Sequence, residues 1–160
     1  MAKLRIRIFP DPDLRVKADK VRSVGPAERE LLADMALAMY LSQGVGLAAT
    51  QVGVSRSLIV IDVGQGLLKL INPVIIKKEG FQFLDEGCLS VPGECIRIKR
   101  AKTVTVNFIN ENGELSRIKG EGLLARAIQH EIDHLSGKLI IDHLNPIRKL
   151  LKKAKGCRRI

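Results

Sequence analysis

The sequence predicts a single α+β domain. Antiparallel strands pack around a central helix bearing a His-Glu-x-x-His pattern, with an N-terminal helix before it and an amphipathic basic helix at the C-terminus. Three observations carry this prediction. Two segments, near residues 26–42 and 122–136, repeat apolar residues at helical spacing. Between them run stretches that alternate apolar and polar residues, as half-buried strands do. Two of these stretches are joined by Asn112-Gly113, a two-residue hairpin signal. At 160 residues the chain lies below the length at which hydrophobic cores divide, so residues 1–145 read as one domain and 146–160 as a basic helix or tail belonging to it.

The elements follow in order. Phe9-Pro10-Asp11-Pro12-Asp13-Leu14-Arg15 is excluded from regular helix and from a central strand by its prolines. Gly25-Pro26 opens the first helix with proline at its first position, Glu28 and Glu30 suit the positive end of the dipole, and Gly44 offers a stop. Leu31, Met35, Ala38 and Met39 form its apolar stripe. Strands are expected over Ser57–Val63 and over Leu68–Ile76, the latter broken by Pro73, which suggests an edge or a bulge. Ile96 and Ile98 alternate with Arg97 and Lys99, and Val104, Val106 and Phe108 with Thr103, Thr105 and Asn107; Glu114–Ile118 returns after the hairpin. The second helix runs from Gly122 to Ser136 and is closed by Gly137. Leu123, Ala127, His130 and His134 share one stripe and Ile128, Ile132 and Leu135 the next, a width that predicts burial against sheet. Leu139-Ile140-Ile141 is strand-like. From Pro146, Ile147, Leu150, Leu151 and Ala154 sit among basic residues.

Composition excludes several function classes. Hydrophobic residues at 46% and charged ones at 28% are those of a folded globular chain. The longest clean aliphatic run, Leu58-Ile59-Val60-Ile61, falls far short of the roughly 18 residues of a membrane span, and the N-terminus lacks the apolar region of a signal peptide. A cytoplasmic protein is expected. The net charge of +10 is concentrated: residues 146–160 hold seven Lys or Arg and no acid, leaving 20 basic against 17 acidic residues elsewhere. With four Phe, one Tyr and no Trp, the body does not read as a nucleic-acid binder, and no sequence-specific one is expected. Three cysteines suggest a metal ligand or free thiols before disulfides.

His130-Glu131-Ile132-Asp133-His134 carries the strongest chemical signal. Two histidines at i and i+4 project from one helix face and can grip one metal ion, and the intervening Glu131 lies close enough to take a proton from water there. A catalytic metal wants a third protein ligand. His143 is a candidate downstream, though its ordinary reading is a surface or core histidine; Cys88 competes with it as a thiolate. Cys95 and Cys157 qualify by chemistry alone, but one lies in an alternating strand and the other in the basic tail.

Three segments together resemble, in order, the signature motifs of the peptide deformylase family: Gly44-Val45-Gly46-Leu47-Ala48-Ala49-Thr50-Gln51, Glu86-Gly87-Cys88-Leu89-Ser90, and Gln129-His130-Glu131-Ile132-Asp133-His134. The Phe9–Arg15 segment, Ser90-Val91-Pro92-Gly93 and Gly120-Glu121-Gly122-Leu123-Leu124-Ala125 extend the resemblance over nearly the whole chain up to Pro146. It implies a metal-dependent hydrolase that removes the N-formyl group from the formyl-methionine of nascent bacterial polypeptides. It implies Cys88, His130 and His134 as metal ligands, Glu131 as general base and then general acid, and the Gln51 side chain and Leu89 N–H as donors to the oxyanion. The implied metal is Fe(II), with Zn(II), Ni(II) or Co(II) able to take its place in purified protein. Substrate would bind extended along Gly46, with the methionine side chain among Val45, Leu84 and Ala127. The basic tail suggests contact with the ribosome.

Some positions depart from the pattern. Many relatives carry an arginine seven residues after the metal cysteine, where this chain has Cys95; Arg97 and Arg100 are candidates to replace it. Arg126, one turn before His130, is expected at the rim, its stem over apolar surface. Asp133 is expected to pair with Arg100. Two other readings stay open: a zinc metallopeptidase whose third ligand lies downstream, and a basic RNA-associated protein with a vestigial site.

Overall fold

The computed structural model describes residues 4–144. The amphipathic segment expected after Pro146, and Cys157 within it, lie outside the described residues.

Helix α1 (Pro26–Leu41) begins at the expected proline, with the Glu28 carboxylate accepting the Gly25 N–H at 2.8 Å. Strands β1 (Gly46–Ala48), β2 (Leu58–Ile61), β3 (Leu68–Glu79), β4 (Gln82–Cys88), β5 (Val91–Arg100), β6 (Thr103–Ile109) and β7 (Leu115–Glu121) follow, then helix α2 (Gly122–Leu135) and a 3-10 turn, Ile140–His143. The pairings between these strands are antiparallel: a five-stranded sheet in the order β1-β2-β3-β6-β7, and a separate pair β4-β5. No helix among the described residues is long and apolar enough to cross a membrane.

The unbroken run Leu58-Ile59-Val60-Ile61 finds its explanation in β2, every residue of which is buried. Leu58 and Val60 pack with Leu32, Met35 and Met39 of α1, while Ile59 and Ile61 pack with Ala125, Ala127 and Ile128 of α2. A strand covered on both faces needs no polar alternation. A third cluster joins Leu14, Cys88, Ile96, Ile98, Leu139 and Ile140 on the β4-β5 pair.

Pro73 sits at a bulge and not at an edge. β3 pairs with both β2 and β6, and its register with β6 shifts between Ile71 and Val74, where Asn72 takes φ 51°. The ladder therefore loses no bond at the proline. Asn72 also fixes the N-terminal segment, donating to Val21 O at 2.8 Å and accepting from Val21 N at 2.9 Å.

Other expectations need correction. Gln43, at φ 56°, holds the left-handed position after α1; Gly44 is small because an added Cβ would stand 2.6 Å from Leu89 Cδ1. β1 and β4 escaped the periodicity argument, since β1 has three residues and is buried throughout, and β4 changes from exposed to buried along its length. Leu139-Ile140-Ile141 is not a strand: Asp142 accepts the Leu139 N–H at 2.8 Å and turns the chain into the 3-10 element. α2 closes as expected at Gly137, with φ 72° and room for no Cβ against Arg15 O, which would lie 2.5 Å away.

Candidate metal centre

Helical spacing stacks His130 and His134 on one face of α2, with their Nε2 atoms 3.2 Å apart. β4 delivers Cys88 from the other side, with Sγ 3.2 Å from His134 Nε2. The three ligand atoms lie within 4.8 Å of one another and all three residues are buried. The Ser90 and Val91 backbone N–H groups are directed at the Cys88 sulfur. Gln51 is fully buried: its Oε1 accepts the Ala48 N–H at 2.7 Å, which turns Nε2 toward Ser90 Oγ at 3.2 Å and Cys88 Sγ at 3.8 Å.

Glu131 has no exposed surface, and neither carboxylate oxygen has a hydrogen-bond partner among the described residues. It stands against β1: a Cβ at Gly46 would overlap Glu131 Oε1. Burial raises its proton affinity well above the usual carboxylate range.

Glu86 organises the opposite side of the histidines. Its Oε1 accepts from Arg100 Nε at 3.0 Å and from Arg126 Nη1; its Oε2 faces Arg100 Nη2 at 2.9 Å and His130 Nδ1 at 3.2 Å. Burial alone would raise its pKa, but the His130 hydrogen bond and the Arg100 contact outweigh it and bring it down to about 2. An ionised Glu86 only accepts, so His130 carries its proton on Nδ1 and leaves the Nε2 lone pair for a metal. Arg100 Nη1 reaches Asp133 at 2.6 Å, the pair the sequence suggested, and His143 Nε2 meets the same carboxylate oxygen at 3.0 Å.

Several candidates are thereby sorted. Cys88, His130 and His134 converge, and His143 does not join them, being spent on Asp133. Cys95 is disulfide-bonded, against the expectation of free thiols, while Cys88 is free. Arg126 is not at the rim: it is 2% exposed, drawn inward by Glu86. Arg97 is an exposed residue of β5. Leu89 is buried in the turn after Cys88, Val45 is half-buried ahead of β1, Leu84 is 49% exposed on β4, and Ala127 is wholly inside the α2 core cluster. Sequence reasoning gave Glu86 no role. Its only signal was a carboxylate two positions before Cys88, in a strand without regular alternation.

Comparison with known proteins identifies the family. Residues 3–150 match the family model described as polypeptide deformylase. A peptide deformylase from Halothermothrix orenii is 52% identical over 144 residues, covering 89% of this chain and 94% of its own. This chain belongs to the polypeptide deformylase family. Among solved structures, the Legionella pneumophila deformylase superposes with a TM-score of 0.89 at 42% identity, covering 94% of this chain and 90% of that one. The Thermotoga maritima deformylase gives 0.88 at 41%, covering 91% and 100%.

Deformylases are metal-dependent, and the residues fit such an ion on two independent grounds. One soft and two imidazole donors suit a divalent transition metal. The unpartnered Glu131 carboxylate is a buried acceptor that protein groups do not satisfy. Without metal, burial pushes the Cys88 thiol up to about 12 and holds the His130 and His134 pKa values below the usual imidazole value, so near neutral pH the thiol is protonated and both rings are neutral. Coordination requires thiolate. Uptake of a divalent ion by this deformylase should therefore release at least about one proton, with apparent affinity rising about tenfold per pH unit. Titration calorimetry in buffers of different ionisation heat measures that release; heats independent of buffer would remove Cys88 from the ligand set.

Proposed function

We propose that this enzyme holds its metal on Cys88, His130 and His134 and uses Glu131 to move the proton in deformylation, the hydrolysis of the N-formyl group from formyl-methionyl nascent polypeptides that its family performs. The carrying observation is the unpartnered, fully buried Glu131 carboxylate beside three converging ligand atoms. When bound, the metal supplies Lewis acidity, making water more acidic and polarising the formyl oxygen.

The protein groups divide the remaining work. Glu131 accepts the proton of the attacking water and returns it to the departing amine, and its raised proton affinity suits both steps. Gln51 Nε2, already turned toward the Cys88 side, and the Leu89 N–H donate to the oxygen that becomes an oxyanion. Among the described residues β1 pairs only with β2, and its second edge is where an extended substrate would add at Val45 and Gly46. The methionine side chain then lies among Val45, Leu84 and Ala127, with Gln51 and Leu89 at the formyl end. Backbone pairing fits substrates whose sequences vary after the first residue.

Metal-loaded protein should release formate from formyl-Met-Ala-Ser and nothing from the acetyl analogue; silence on both sinks the reading. Glu131→Gln should lower turnover by at least about 10²–10⁴-fold while metal content stays native, because it removes a proton acceptor and no ligand. Cys88→Ala and His134→Ala should instead lower metal content. Near-native turnover by Glu131→Gln would overturn the proton-transfer assignment.

The metal proposed is Fe(II). Ligand chemistry alone ranks Zn(II) as the tighter binder, and iron comes from the family resemblance. Held beside Fe(II), the Cys88 thiolate would be open to oxidation in air, and an oxidised Cys88 would ligate poorly. Enzyme prepared anaerobically with Fe(II) should start active and decay in air, whereas Ni(II) and Co(II) forms persist. Equal turnover by the Zn(II) form would remove the iron assignment.

The enzyme is proposed to work in the cytoplasm, with the basic segment 146–160 making salt-sensitive contact with the ribosome. Deleting residues 152–160 should weaken ribosome co-sedimentation at low salt and spare hydrolysis of the short peptide. Equal co-sedimentation across a salt series would refute the contact.

A further inference from the structure

Arg126 is left without a role by the chemistry above, and its surroundings are unusual. It lies on α2 four residues before His130 and eight before His134, on the same stripe. It is 2% exposed, and only Nη1 finds a partner, Glu86; Nε and Nη2 have none among the described residues. Burying a guanidinium with two donors unmet is costly, and an apolar side chain of similar volume would avoid that cost. The charge at this position serves the Glu86 contact.

We infer that Arg126 is a positioning residue for the metal ligand His130, acting through Glu86. A carboxylate offers about four lone-pair sites, and at Glu86 all are taken. Arg100 grips both oxygens side-on, Arg126 fills the remaining site on Oε1, and His130 Nδ1 meets the remaining site on Oε2. Arg100 is shared with Asp133, so it does not hold Glu86 alone. Arg126 holds the carboxylate from the helix that also carries His130. Glu86 cannot pivot on Arg100 without breaking a bond to α2, and the direction in which His130 presents Nε2 is thereby fixed. A partner on the far nitrogen of a metal-binding histidine is typically worth 10–100-fold in metal affinity. This inference rests on the proposed ligand set and not on the reaction.

The test is a double-mutant cycle on metal-stripped protein. Co(II) affinity is measured by chelator competition, and the visible Co(II) absorption bands are recorded, for the wild type, Arg126→Met, Glu86→Gln and the pair. Arg126→Met should weaken Co(II) binding about tenfold and shift the bands, Glu86→Gln should weaken it at least as much, and the Arg126→Met loss should vanish in the Glu86→Gln background. Affinity within about twofold of wild type for Arg126→Met, or an equal loss in both backgrounds, overturns the inference. Should Arg126→Met fail to fold, Arg126→Gln enters the same cycle and is read in the same way. Formate release plays no part in the readout, so failure of the deformylation reading and failure of this inference are told apart.

Discussion

A carboxylate withdrawn from water must have its charge and its lone pairs answered by the protein, and at Glu86 that demand binds together the elements that make the site. Arg100 answers from β5, Arg126 and His130 answer from α2, and Arg100 carries the link on to Asp133 and thence to His143 in the 3-10 turn. Removing one partner from such a cluster leaves a buried charge unmet, typically a loss of about 3–5 kcal/mol, so the pieces cannot drift independently. Cys88, two residues along β4 from Glu86, is located by the same anchor. The ligands are set by a polar network, while the apolar clusters set the frame around it.

That frame depends on the double burial of β2. Because alternate residues of one strand serve α1 and α2, the sheet separates the two helices and holds each in register with it. α2 then presents its polar stripe, Arg126, His130 and His134, toward β4. Its apolar residues Ala125, Ala127 and Ile128 bind the sheet. A helix with chemistry on one side and core on the other is held in rotation by both.

Legibility in the sequence followed how locally each feature is determined. α1, α2 and the β6–β7 hairpin were readable because a proline start, an i,i+4 repeat and an Asn-Gly pair act within a few residues, although the hairpin closes between Ile109 and Leu115 through a loop longer than the two-residue turn expected. The convergence of Cys88, His130 and His134 was readable because coordination demands particular residue types at particular spacing. Glu86 and Arg126 were not, since their roles come from contacts distant in sequence, 40 residues separating the pair. Taken singly, a buried arginine looks like a rim residue with a long stem. The 3-10 turn at Ile140 failed for a related reason: its apolar triplet says strand, while Asp142, capping Leu139 and paired with Arg15 far away, decides otherwise. Gly44 and Gly46 were recognised as special, but the contacts that require them, Leu89 and Glu131, are tertiary.

The site also retains polar groups that stability alone would remove. The Glu131 oxygens and His134 Nδ1 are buried without partners among the described residues, and each such group works against folding. Binding to the folded state alone offsets such costs by mass action, and a coordinated ion does so where its ligands come from separate elements. Here Cys88 and His134 stand 46 residues apart in sequence, joined across the site by a sulfur-to-nitrogen distance of 3.2 Å. That contact holds β4 and α2 close together at the site. The Glu86 network adds to this order, because it holds His130 from the opposite side.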